Sequence, residues 1–262
     1  RIEDEREMHA DWSNENTVIV HSISDPDNLH PTNGNSAPRS EIMLLTQRSI
    51  LYTDFENQSM IAGLVKTSPI ASADGLTYIY QLKPGPEWDD KTPFTFEDVL
   101  FTAKAYLCPL VNDPAVKTYW RNLKNIIQDE NDKNKFQVIM KAKNIQNQYW
   151  FGSFPVLQRK FHDPGNILAN YSLEQFNDTS FRAENEKELN DWANEFNSDK
   201  NGRDPKYLNG LGMYKVERWE SGQFITLLKK KNHWTENSLD YHERSFPEKI
   251  IYKINKDDNS QQ

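Results

Sequence analysis

Between residues 95 and 108 the side chains of Phe96, Val99, Leu100, Ala103 and Leu107 recur at the spacing of one helix face. A helix striped in this way must be covered by other elements. The Thr95 hydroxyl is placed to cap the amide three residues on, and Glu97 and Asp98 set negative charge against the positive end of the helix. The partners on offer are mostly short strands. Thr17–Ser22 is β-branched, residues 77–82 alternate, and runs 123–128 and 136–141 flank a polar turn at 129–134. Residues 213–219 and 224–230 alternate around Glu220-Ser-Gly-Gln223 and read as a β-hairpin, and 250–254 is a further strand. Ser40 is expected to cap a second helix with Ile42, Met43, Leu45 and Ile50 on its apolar side, and a polar helix is expected over about 184–196. Helices and strands mix without a strict βαβ rhythm. The fold class expected is α/β with α+β character.

The chain has 262 residues, enough to bury a core, and 12% aromatic content with seven Trp argues for a globular fold. Its hydrophobic fraction is only 36%, with mean hydropathy −0.85, so many helix faces and loops must be solvated. A net charge of −8 with no concentrated basic run argues against a nucleic-acid partner, and Lys229-Lys230-Lys231 reads as a solvated strand end. Cys108 is the only cysteine, which excludes an intrachain disulfide and a Cys-based metal site; it is expected to be buried and inert. No apolar run approaches the ~20 residues that span a bilayer. Residues 1–16 read as a mobile or weakly helical lead-in, and Arg1 in place of Met implies that an upstream segment was removed or left out.

Enzymatic signatures are missing. There is no G-x-S-x-G elbow, no H-E-x-x-H and no Walker lysine loop. Gly210-Leu-Gly212 precedes a strand, so it does not cradle a pyrophosphate at a helix start. His9, His21, His30, His162, His233 and His242 are scattered, with no pair at helical ligand spacing, and Asp89-Asp90 reads as a turn. No catalytic residue, metal site or cofactor is expected.

What rises above background is an ordered series of short signatures. Leu64-Val-Lys-Thr-Ser-Pro69 leads to Ser72-Ala-Asp-Gly-Leu-Thr-Tyr78 and Gln81-Leu-Lys-Pro-Gly85. Trp88-Asp-Asp-Lys-Thr-Pro-Phe-Thr-Phe-Glu-Asp-Val99 follows. Later come Gly210-Leu-Gly-Met-Tyr-Lys-Val216, Trp219-Glu-Ser-Gly-Gln223 and Asn232-His-Trp234, with Asn28-Leu-His-Pro31 early in the chain. In order and separation, over roughly residues 17–258, the series resembles extracellular solute-binding protein family 5, whose members hand oligopeptides and dipeptides to ABC importers. Three positions depart from the family pattern: Lys91 where Gly is usual, Met213 where Pro is usual, and His30 where Asp is usual.

The resemblance implies the first lobe of a type II periplasmic-binding-protein-like fold, a mixed sheet with flanking helices and an inserted smaller α+β subdomain. Residues 1–52 and 160–262 are expected to form the main subdomain, residues 53–159 the insert, and a second, C-terminal lobe is expected outside this chain. The implied partners are a peptide or other small solute, that lobe, and the permease and ATPase of an importer. The implied location is the periplasm or the outer face of the membrane, with or without a lipid anchor. Carried over by position, the ligand contacts are Asn35, Ser36 and Ala37, an aromatic wall from Tyr119 or Trp120, and Asn209, Leu211 and Gly212 of the 209–213 turn. The same fold also implies oligosaccharide or nickel-chelate binding as alternatives. A surface receptor or adhesion lipoprotein without a transport role is a reading from another class.

Overall fold

The computed structural model describes residues 16–54 and 56–255; the lead-in expected over residues 1–16 lies, but for Asn16, outside them. Two compact units share the chain, Arg1–His30, Gly34–Thr46 and Lys200–Gln262 in the first, Pro31–Asn33 and Gln47–Asp199 in the second.

The first unit is built on a four-stranded mixed sheet. Strands β1 (Thr17–Ser22), β8 (Tyr214–Glu220), β9 (Phe224–Lys229) and β10 (Lys249–Ile254) lie in the order β1-β10-β9-β8. The alternating runs on either side of Ser221-Gly222 pair antiparallel, from Tyr214 opposite Lys229 to Glu220 opposite Phe224, as the hairpin pattern requires. β10 then returns antiparallel to β9 and parallel to β1. Helix α1 (Ala37–Thr46) packs Ile42 against Tyr214, Val216, Ile225, Leu227, Ile250 and Tyr252, which form the core. The helix begins three residues before the expected cap. Ser36, not Ser40, supplies the capping group, and Ile50 falls beyond the helix end.

The second unit carries an antiparallel sheet, order β4-β5-β7-β6, from β4 (Ile70–Ala71), β5 (Thr77–Gln81), β6 (Leu123–Gln128) and β7 (Lys135–Met140). A separate ribbon joins β2 (Leu51–Thr53) and β3 (Met60–Ala62). Helix α2 (Phe96–Leu107) is the striped helix, and it is buried almost all round. Phe96 stands 5.6 Å from Phe136 of the sheet. On its far side Phe101 meets His162 and Trp192 at 6.4 and 6.3 Å, from the helices Arg159–His162 and Lys187–Phe196. Covering Phe101 is what draws residues 160–199 into this unit, so the chain divides at 46/47 and 199/200, whereas the sequence led to 52/53 and 159/160. Leu100 is only half-buried. Leu100→Ala is therefore expected to cost about 1 kcal/mol in urea denaturation, less than the full core value.

Asp98 holds the start of α2 together. Thr95 has extended backbone at the N-cap (φ −135°, ψ 173°), and Asp98 closes a capping box from the third helical position. Its carboxylate accepts from Thr95 N at 3.0 Å, Trp88 Nε1 at 3.2 Å and Arg159 N at 2.9 Å. This gives the W-D-x-x-x-P-x-T-x-x-D signature a structural purpose. Burial nevertheless raises the Asp98 pKa above its ordinary 3.8. At Asp90, burial is outweighed by hydrogen bonds from Thr92, Lys160 and Gln158, and the pKa falls to about 2. The two should act oppositely on stability. Asp98 contributes stability that is full below about pH 3.8 and is lost as pH rises through its folded pKa. Asp90 contributes stability that is present above about pH 3.8 and is lost as pH falls toward 2. Urea midpoints across pH 2.5–7 for wild type, Asp98→Asn and Asp90→Asn should show the two wild-type advantages sloping in opposite directions.

Lys91 adopts φ +64°, a left-handed conformation that explains why Gly is usual at that turn. Cys108 is fully buried, and burial pushes its thiol up to about 11, consistent with an inert role.

Candidate functional site

In the first unit, the loop entering α1 is wound around one carboxylate. Asp27 accepts from Asn35 N at 2.7 Å, Ser36 Oγ at 2.7 Å and Asn28 N at 3.0 Å. Burial works to raise its pKa, but these bonds outweigh it and hold Asp27 below the ordinary range. Gly34 takes φ +103° beside it, and a Cβ there would stand 2.8 Å from Asp27 Oδ2. Only Gly fits this close approach. The Ser36 hydroxyl and the Asn35 amide N–H are thus spent on the loop itself, leaving the exposed Asn35 side chain and Ala37 facing solvent.

A second carboxylate anchors the same loop. Asp25 accepts from Trp219 Nε1 and Ser221 Oγ, each at 3.1 Å, and from Gly222 N at 2.5 Å. Arg203 lies over the Trp219 ring at 5.3 Å and donates to the Asp27 carbonyl at 2.7 Å. The W-E-S-G-Q signature is therefore the clamp that fixes the loop carrying Asn35–Ala37. Sequence reasoning assigned no role to Asp25 or Asp27, although Asp25-Pro-Asp27 directly after a strand is a turn former with two spare carboxylates. His30 is buried, and its carbonyl accepts from Arg39 at 2.6 Å.

The 209–213 turn meets the other end of α1. Gly212 N donates to the Thr46 carbonyl at 3.0 Å. The Gly210 carbonyl accepts from Lys230 Nζ at 2.5 Å, so this lysine is not the solvated strand end expected. Leu211 is buried, and its carbonyl accepts from His233 Nε2 at 3.1 Å and Trp234 Nε1 at 3.3 Å. The G-L-G and N-H-W signatures thus lock each other. Asn35–Ala37 and Leu211–Gly212 stand at opposite ends of a ten-residue helix, about 15 Å apart along its axis. They do not form one cluster.

In the second unit, helix α3 (Pro114–Trp120) presents Tyr119 and Trp120 differently. Trp120 is 4% exposed and stacks on Tyr106 at 4.9 Å. Tyr119 is 43% exposed and lies against Trp150 at 5.4 Å and Phe154 at 6.4 Å. Of the two residues offered as an aromatic wall, Tyr119 has the surface to act as one. Trp150 and Phe154 extend it. Their signal was the aromatic run Tyr149-Trp150-Phe151, followed closely by Phe154. Among the described residues, no group of three or more His, Cys, Asp or Glu side chains is arranged to hold a metal ion.

Known proteins share this fold. Residues 60–262 match the family model "Bacterial extracellular solute-binding proteins, family 5 Middle". No match was found among curated protein sequences. Among solved structures, the oligopeptide-binding protein AppA from Bacillus subtilis, in complex with a nonapeptide, is 20% identical with a TM-score of 0.70, covering 93% of this chain and 41% of AppA. The oligopeptide-binding protein from Thermus thermophilus, complexed with a pentapeptide, is 19% identical with a TM-score of 0.66, over 94% of this chain and 42% of that one. NikZ from Campylobacter jejuni, in complex with Ni(L-His), is 19% identical with a TM-score of 0.65, over 93% and 40%. This chain thus spans about two fifths of the length of the proteins it matches. At these identities the likeness establishes the fold, the type II periplasmic-binding-protein architecture. With the family model matched over most of its length, the chain belongs to the bacterial extracellular solute-binding proteins, family 5.

Proposed function

We propose that this chain is the first lobe of the extracytoplasmic binding component of an ABC importer, and that its solute is an oligopeptide or dipeptide held against a second lobe. The observation that carries the reading is the loop at the entry to α1, which the Asp25 and Asp27 carboxylates clamp through Ser36, Asn35 and Gly222. A loop fixed in this way suits a ligand recognised through its own main chain, because main-chain pairing is indifferent to side-chain identity. Two of the solved proteins with this fold hold peptides in their structures, which supports the same reading. Asn35, Ser36, Ala37, Tyr119 and Asn209 are each proposed as a solute contact within their own unit. Leu211, Gly212 and Trp120 are proposed to act by holding their neighbours in place.

Closure of two lobes is a population shift, so solute must bind the closed state more tightly through contacts to both. The exposed Tyr119 ring, tilted by 33° against Trp150, favours a second reading, an oligosaccharide lying on an aromatic platform. Native mass spectrometry of the protein purified from its host separates them. Co-purified peptide masses support the first reading, sugar masses support the second, and a metal chelate would exclude both.

A further inference from the structure

A groove of about 900 Å³ in the second unit is lined by none of the residues assigned to the solute. It lies among the loop at 83–86, the first turns of α2 and the segment 163–169. Pro86, Phe94 and Leu100 give it an apolar wall. Lys104 reaches it from α2 with only 9% of its surface exposed. An ammonium has three donors, and Lys104 Nζ uses one, to the Leu168 carbonyl at 2.9 Å. Asp163, the buried carboxylate nearby, accepts from the Ile167 and Leu168 amides at 2.8 and 2.9 Å. Burial holds the Lys104 pKa below its usual value, with Asp163 pulling the other way. Around the mouth, Lys83, Lys133 and Arg159 outnumber Glu97, which itself pairs with Arg159 at 3.3 Å. The lining is therefore net positive, with a desolvated cation at an apolar wall.

We propose that this groove binds a carboxylate carried on an apolar body, its head on Lys104 and its body against Pro86, Phe94 and Leu100. Such a carboxylate reaches the groove either as a free aromatic or acyl acid or as the C-terminus of a peptide ending in an apolar residue. The size suits a small molecule, and a carboxylate would satisfy the donors that Lys104 leaves unused.

The test is amide chemical-shift titration of the 262-residue chain at pH 6.5 with 4-phenylbutyrate, N-acetyl-Leu-Leu and the neutral 4-phenylbutyramide. The expected result is saturable shifts centred on Leu100, Leu168 and Ala169 with at least one acid. Affinity should fall at least tenfold for the amide and for Lys104→Met, and survive in Lys104→Arg. The relative response to the two acids identifies the source. If Lys104→Met fails to fold, the contrast between acid and amide on wild type decides. Absence of saturable shifts, shifts centred elsewhere, or equal affinity for acid and amide would overturn the proposal. None of the residues assigned to the solute lines the groove, so this outcome is independent of the cleft reading.

Discussion

Gly212→Val is expected to abolish the cooperative folding of the first unit, at a cost above about 4 kcal/mol. A Cβ at Gly212 would stand 2.3 Å from the Leu45 carbonyl oxygen and 2.3 Å from the Thr46 carbonyl carbon. Both are backbone atoms at the end of α1, so no rotamer change relieves the overlap. Separating them would break the Gly212 to Thr46 hydrogen bond and lift α1 from the sheet it covers. Gly212→Ala already introduces that Cβ and should be nearly as severe. Urea denaturation followed by far-UV circular dichroism measures it, and an Ala variant within about 1 kcal/mol of wild type would show that the approach is loose.

Trp120→Ala should cost about 3–5 kcal/mol, the range for removing a large aromatic from a packed core. Trp120 stacks on Tyr106, and Phe151 and Phe154 tilt against it at 5.6 and 5.9 Å. Its Nε1 is buried with no acceptor, so the loss is packing and not a hydrogen bond. Trp120→Phe, which keeps most of the stack and removes that unsatisfied donor, should cost about 1 kcal/mol. Tyr119→Ala should stay within about 1 kcal/mol in stability, because nearly half of the ring is already in water. Its effect should appear in solute affinity instead. Equal losses for Trp120→Ala and Tyr119→Ala would contradict the separation of core from surface.

Much of this fold was legible from periodicity. The hairpin around Ser221-Gly222, the strand pair around residues 129–134 and the striped helix all stand within a residue or two of expectation, because each writes its apolar spacing into consecutive residues. The division of the chain was less legible. Phe101 lies on the face of α2 away from the sheet, and nothing local in the sequence says that residues 160–199 fold back to cover it. The site was legible as signatures but not as geometry. G-L-G and W-E-S-G-Q could be recognised, yet their work, seating α1 against Gly212 and clamping Asp25, spans contacts between residues far apart in sequence. Asp27 was invisible for the same reason. Asp25-Pro-Asp27 signals a turn, but not that Asp27 will gather Asn35 and Ser36.

Sharing of the solute between two lobes is tested most directly by calorimetry with a mixed pool of di- to pentapeptides. It is measured on the 262-residue chain and on the protein as its host makes it. Micromolar binding corresponds to roughly −8 kcal/mol, and losing half of that leaves about −4 kcal/mol, a millimolar dissociation constant. One lobe also cannot exclude water from the solute, which weakens the polar contacts that remain. The expected result is micromolar or tighter binding by the host protein and none tighter than about millimolar by this chain alone. A micromolar signal from the 262-residue chain by itself would contradict a site shared between two lobes.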